Sequence, residues 1–205
     1  MEQKTFALKG NIIYTKERTR FEVMEQGWLV CEEGRVRDVY SVLPEELKGI
    51  PVEDMGNRLI IPGLTDLHIH APQYTFRSLG MDMELLEWLE TNTFPEESKY
   101  KDAEYAKKAY GMFAEQLKKS ATVRACIFGT IHNEATLILM DLLEEAGLHT
   151  MVGKVNMDRN SPDYLCEPSA EASAQATREW LKAVADRKYK HTRPILTPRF
   201  TPSCT

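Results

Sequence analysis

Three polar residues, Asp66, His68 and His70, alternate with Leu67 and Ile69 directly after the punctuation of Pro62-Gly63. Alternation with period two is the signature of a strand. Residues i, i+2 and i+4 of a strand share one face, so the three polar side chains point the same way and two imidazoles converge on one ion. Neutral imidazole is the commonest metal-binding side chain. A metal held by nitrogen and oxygen ligands with one position open lowers the pKa of its water to about 7, which makes hydrolysis the first chemistry to consider. Zinc is the default ion, and iron, manganese and cobalt suit the same ligand types.

The elements around this strand change character near residue 59. Up to residue 58 the sequence reads as short strands joined by turns, a small β-sandwich-like domain. Thr5 to Tyr14 is one strand, and Gly27 to Cys31 joins Arg35 to Tyr40 through Glu32-Glu33-Gly34 as a hairpin. Over residues 59–205 strand-like runs alternate with helical patterns, the grammar of a parallel sheet. The strands are expected over Ile60–His70, Ala121–His132, His149–Asp158 and Arg193–Phe200. A short helix is expected over Glu84–Glu90. A longer one over Asp102–Lys119 sets Ala106, Tyr110, Phe113 and Leu117 on one face. Glu134–Ala146 reads as a third helix, with Asn133 as its cap and Gly147 as its stop. Ser169 caps a fourth that runs to about Arg187 and repeats Ala172, Ala176, Trp180 and Val184.

Composition narrows the partners. With 42% hydrophobic and 28% charged residues the chain is that of an ordinary folded protein. Its 31 acidic residues outnumber 26 lysines and arginines, and there is no basic cluster, so no nucleic-acid or anionic membrane partner is expected. No apolar run reaches the roughly 20 residues of a bilayer span. Met1-Glu2-Gln3-Lys4 leads into strand-like sequence without the apolar region of a signal peptide, so a cytoplasmic location is expected. Cys31, Cys126, Cys166 and Cys204 lack metal-binding spacing and read as reduced thiols.

Residues Pro62 to His70 resemble the first barrel strand of the amidohydrolase superfamily. The likeness narrows to the guanine deaminases through His70-Ala71-Pro72-Gln73-Tyr74, Leu85-Leu86-Glu87-Trp88-Leu89, Thr93-Phe94-Pro95, Thr130-Ile131-His132, Val152 to Asp158 and Thr197-Pro198-Arg199-Phe200. The resemblance implies one divalent metal, zinc by default, held by His68 and His70, with Gln73, Arg199 and Phe200 binding guanine. The implied reaction is hydrolytic deamination of guanine to xanthine and ammonia. Another amidohydrolase acting on a purine, pterin or cyclic amide is the nearest rival, and a half-barrel that works only by assembly is the rival from another class. By residue type alone Gln73 reads as a loop glutamine, Arg199 as a salt-bridged or solvated end of strand, and Phe200 as core. His132 reads either as a pocket residue or as a structural histidine, Trp88, Phe94 and Trp180 as packing, and His149 and His191 as surface.

The resemblance also sets out what these residues lack. In that family further histidines, an aspartate and a proton-shuttling glutamate follow on later strands, so no catalytic acid is expected before Thr205. A closed (β/α)8 barrel needs roughly 250 residues, so about four strand-helix units make an incomplete barrel with two unpaired edges. The chain is therefore expected to be part of a longer deaminase, a homodimer when full length, and inactive by itself.

Overall fold

The structure, a computed structural model, describes residues 5–205; the reading of Met1–Lys4 as lacking a signal peptide lies outside the described residues. The chain folds as two units, the first ending at Pro62 and the second running Gly63–Thr205.

In the first unit, strands β1 (Phe6–Glu17), β2 (Arg20–Glu32), β3 (Arg35–Tyr40) and β4 (Val52–Ile60) form one sheet in the order β3-β2-β1-β4. The turn between β2 and β3 has positive φ at both Glu33 (52°) and Gly34 (72°), as a two-residue hairpin turn requires. The expected two-layer sandwich is not present among the described residues. β1 and β2 run 12 and 13 residues as one antiparallel ladder instead of returning as short strands in a second layer. Ala7, Val30 and Leu47 form its small core.

The strand expected from Ile60 divides. Ile60 closes β4 opposite Ile12, and Pro62, which has no N–H to donate, lies in the break before β5 (Leu64–His70). The second unit places β5 beside β6 (Thr122–Phe128), β7 (His149–Gly153) and β9 (Thr192–Pro194), all parallel and in the order β5-β6-β7-β9. Each strand lies beside the next in sequence, the winding of a barrel rather than of a doubly wound sheet. The expected third and fourth strands are each interrupted, and their ends pair separately as β8 (Val155–Asn156) and β10 (Thr197–Pro198). Gly153 permits this close crossing, since a Cβ there would stand 2.2 Å from Thr197 Oγ1 and 2.7 Å from the Ile195 carbonyl oxygen.

Three helices cover one side of the sheet: α3 (Ala103–Lys118), α4 (Asn133–Glu145) and α5 (Ala170–Arg187). Tyr110 and Phe113 of α3, Leu139 and Leu143 of α4, and Trp180 and Val184 of α5 share a core with Ala125, Ile127 and Val152 from the strands. Asp102 caps α3 by accepting from Glu104 and Tyr105 N–H, Ser169 caps α5, and Gly147 follows α4 at φ 73°. The cap of α4 is His132 rather than Asn133, whose Nδ2 instead donates to the Ala176 carbonyl at 2.9 Å. The short helix expected over Glu84–Glu90 continues further, from α1 (Leu85–Trp88) through a π turn at Leu89–Thr93 into α2 (Phe94–Ser98).

Glu144, near the end of α4, ties this layer to the sheet. Its carboxylate accepts from Lys190, His191 and Thr192 N–H at 2.7, 2.9 and 2.9 Å, satisfying three donors at the start of β9. Desolvation raises its pKa, but those three backbone donors outweigh it and hold the carboxyl below its usual value. The stability it contributes is therefore present above about pH 4.3 and lost as pH falls through the lowered value. In urea unfolding, Glu144→Gln should lower stability at pH 7 by about 1 kcal/mol, with the gap to wild type closing below about pH 4.

Candidate active site

His68 and His70 end β5, and the strand reaches them through a bulge. Asp66 pairs with Ala125 and Ile69 with Ile127, so three steps on β5 match two on β6. The Asp66 carboxylate accepts from the His68 N–H at 3.0 Å and is tied to its own strand. Simple alternation placed Asp66 beside the two imidazoles; the bulge breaks that alternation, and among the described residues no group of three His, Cys, Asp or Glu side chains surrounds a common point.

The two histidines do converge, with their Nε2 atoms 3.2 Å apart. Nitrogens so placed share either a proton or an ion, and two imidazoles bound tetrahedrally at 2.0–2.1 Å stand about 3.3 Å apart. Phe128, opposite His70 in the ladder, stacks on its ring at 4.5 Å and lies 4.9 Å from the His68 ring. Burial, reinforced by the positive charge of Arg199 and by His68, pushes His70 down to about 3, which keeps it neutral and able to ligate. Its Nδ1 is buried without a hydrogen-bond partner.

A cavity of about 670 Å³ opens over this pair, lined by His68, His70, Gln73, Arg199 and Phe200 and by the apolar surfaces of Trp88 and Leu89. It lies at the C-terminal ends of the parallel strands, where α/β sheets build their sites. Gln73 belongs to the 3-10 turn Ala71–Phe76 that follows β5. Two bonds pin this turn: Tyr100 OH donates to the Pro72 carbonyl at 3.2 Å, and Thr75 Oγ1 to Glu96 at 2.6 Å.

Arg199 follows β10, where its N–H donates to the Asn156 carbonyl at 3.1 Å. Its guanidinium forms an ion pair with Glu97, and the two side chains are only 4% and 2% exposed. The guanidinium carbon lies 5.7 Å from the centroid of the Phe94 ring. Burial raises the Glu97 carboxyl against the pull of Arg199. Phe200 is 42% exposed, so it is not core. An amide, a cationic fork and aromatic faces above two imidazoles suit a flat ring with polar edges.

Sequence reasoning missed Glu97 and Phe128. Phe128 reads as one more apolar strand residue until the register sets it against His70. Glu97 lies 102 residues from Arg199, and no local pattern joins them. The buried pair of Lys154 and Glu167, at 2.5 Å, was equally silent. His132 stands at the cap of α4 rather than at a strand end and does not line the cavity; its Nε2 is buried without a partner. Trp88, read as packing, lines the cavity; Phe94 packs beneath Arg199, and Trp180 is core. His149 is exposed, whereas His191, read as surface, is half-buried against it at 5.2 Å. All four cysteines are free, and no helix among the described residues is long and apolar enough to cross a membrane.

Comparison with known proteins agrees with this layout. The pattern of the Amidohydrolase family matches residues 59–205. A guanine deaminase of Dictyostelium discoideum is 36% identical over 96% of this chain and 47% of its own length. The guanine deaminase of Escherichia coli K12 is 35% identical over 88% of this chain and 41% of its own length. The crystal structure of a guanine deaminase from C. acetobutylicum with bound guanine superposes with a TM-score of 0.91 at 44% identity, covering 98% of this chain and 48% of that one. The chain thus spans about half the length of the curated relatives it matches. With its parallel strands wound in barrel order and its paired histidines at the C-terminal end of the first of them, the chain belongs to the amidohydrolase family.

Proposed function

We propose that this chain is part of an enzyme that hydrolyses guanine to xanthine and ammonia. The observation that carries this reading is the convergence of His68, His70, Gln73, Arg199 and Phe200 on one cavity at the strand ends. The 44% identical neighbour that holds guanine in its active site supports the choice of ring.

In this reading His68 and His70 hold one divalent metal, zinc by default, which when bound supplies Lewis acidity and a nucleophilic water at neutral pH. The spacing of the two imidazoles and the neutrality of His70 fit that ion. Gln73 offers an acceptor and two donors to the mixed edge of guanine, Arg199 a fixed fork of N–H donors to its acceptors, and Phe200 a face against the ring. Trp88 and Leu89 narrow the access of water to that wall. Further metal ligands and the carboxylate that carries the proton come, in this reading, from outside residues 5–205. A homodimeric assembly, a cytoplasmic setting and a role in purine breakdown belong to the same reading and are carried over from the family resemblance.

Full-length protein carrying this sequence, assayed by xanthine formation, should convert guanine; a guanine-inert protein that turns over pterins or other cyclic amides would overturn the choice of substrate. Arg199→Gln should raise KM for guanine by about 10- to 100-fold, the worth of a hydrogen bond from a charged donor. His68→Ala and His70→Ala, titrated with zinc against a chromophoric chelator, should each weaken metal binding at least about tenfold, a larger loss than from Asp66→Asn, whose side chain is tied to its own strand.

A further inference from the structure

Arg199 is more firmly held than a substrate-binding arginine at a cavity wall needs for folding alone. Its main chain is fixed to Asn156 and its guanidinium to Glu97, a carboxylate from a different element and 102 residues earlier. Glu97 Oε2 takes the guanidinium, and Oε1 is buried without a hydrogen-bond partner. A buried ion pair with an orphaned oxygen is a poor device for stability, because apolar residues of similar volume fill such a position equally well or better. The neighbouring acid, Glu96, is occupied elsewhere, accepting from Thr75, Tyr105 and Lys99.

The helix that carries Glu97 is itself irregular. The π turn at Leu89–Thr93 stands immediately before α2, and such turns recur at functional sites. Leu89, Thr93 and Glu97 are all buried, and Leu89 lines the cavity. Thr93 Oγ1 is a second buried polar atom left without a partner. Two orphaned oxygens in consecutive turns beneath the cavity wall mark a segment built for placement of groups rather than for packing.

We propose that Glu97 is a positioning residue whose carboxylate fixes the Arg199 guanidinium at the cavity wall and thereby sets the affinity of the site for ring carbonyl and ring nitrogen acceptors. Glu97 does not line the cavity; Arg199 is its ion-pair partner, and the Gln73 side chain also bears on its carboxyl. The inference rests on the guanine reading above and adds to it the residue that orients the cation.

A double-mutant cycle in the full-length, metal-loaded protein tests it, with KM and kcat for guanine as readouts. Glu97→Gln should raise KM at least about tenfold while kcat stays within about threefold; in an Arg199→Gln background the same change should shift KM less than about twofold. Lost folding alone lowers the active fraction, and with it kcat, without moving KM. Equal KM effects in both backgrounds, or an unchanged KM, overturn the proposal. If Glu97→Gln yields no folded protein, Glu97→Asp, which keeps the charge but withdraws it by one methylene, is measured instead. A raised KM supports the proposal there, and an unchanged KM, or loss of folded protein in both variants, overturns it. A wild type inert toward guanine sinks the functional reading and this proposal together, whereas an active wild type with Glu97→Gln unchanged sinks this proposal alone.

Discussion

The register between β5 and β6 is the constraint on which the rest of the site depends. Because β5 uses three steps where β6 uses two, the alternation stops at Asp66 and resumes at Ile69 opposite Ile127. Ile69 packs against the helix-covered core, His70 falls opposite Phe128, and the phenyl ring lies against both imidazoles. A one-residue slip would turn His70 away from His68 and the cavity and into the core, leaving a buried, unsatisfied histidine. The helices on the outer side enforce this register, since Ala125, Ile127 and Val152 fill the same core as Leu139, Leu143 and Trp180.

A second constraint works from the other end of the sheet. The breaks after Gly153 and after Pro194 let the strand ends re-pair as β8 and β10, which sets Arg199 beside Asn156. A polar network supports that crossing: Lys154 Nζ meets Glu167, Glu167 accepts from Met157 N–H and Ser173 Oγ, and Asn156 Nδ2 donates to Ser173 and Thr177. Burial lowers the Lys154 pKa and the Glu167 carboxylate opposes that shift. Every member of the network meets a partner, which is the condition under which buried polar groups rigidify a fold. Gln73 reaches the same cavity from β5, on a turn clamped by Tyr100 and by Glu96.

The parts of this architecture that obey local rules were legible in the sequence. The period of Ala106, Tyr110, Phe113 and Leu117 marked the buried face of α3, Asp102, Ser169 and Gly147 marked helix ends, and Glu33-Gly34 marked a hairpin. His68 and His70 were legible because a strand carries i and i+2 side chains to one side. Departures from regularity were not. The bulge at Asp66, the π turn before Phe94 and the breaks at Lys154 and Ile195 carry no local signal, and the bulge takes Asp66 away from the place that alternation had given it. The ion pairs of Glu97 with Arg199 and of Lys154 with Glu167 join residues far apart in the chain, so charge and spacing alone are silent about them.

The imidazoles of His68 and His70 stand at the separation of two ligands on a shared ion and line the same cavity as Gln73 and Arg199. An anomalous difference map at the zinc edge, from crystals of the full-length protein grown with zinc and a guanine analogue, measures this most directly. The account predicts a single peak about 2.0–2.1 Å from the Nε2 atoms of both histidines, with the analogue seated against Gln73 and Arg199. A metal bound elsewhere while His68 and His70 remain in contact with each other alone would contradict it.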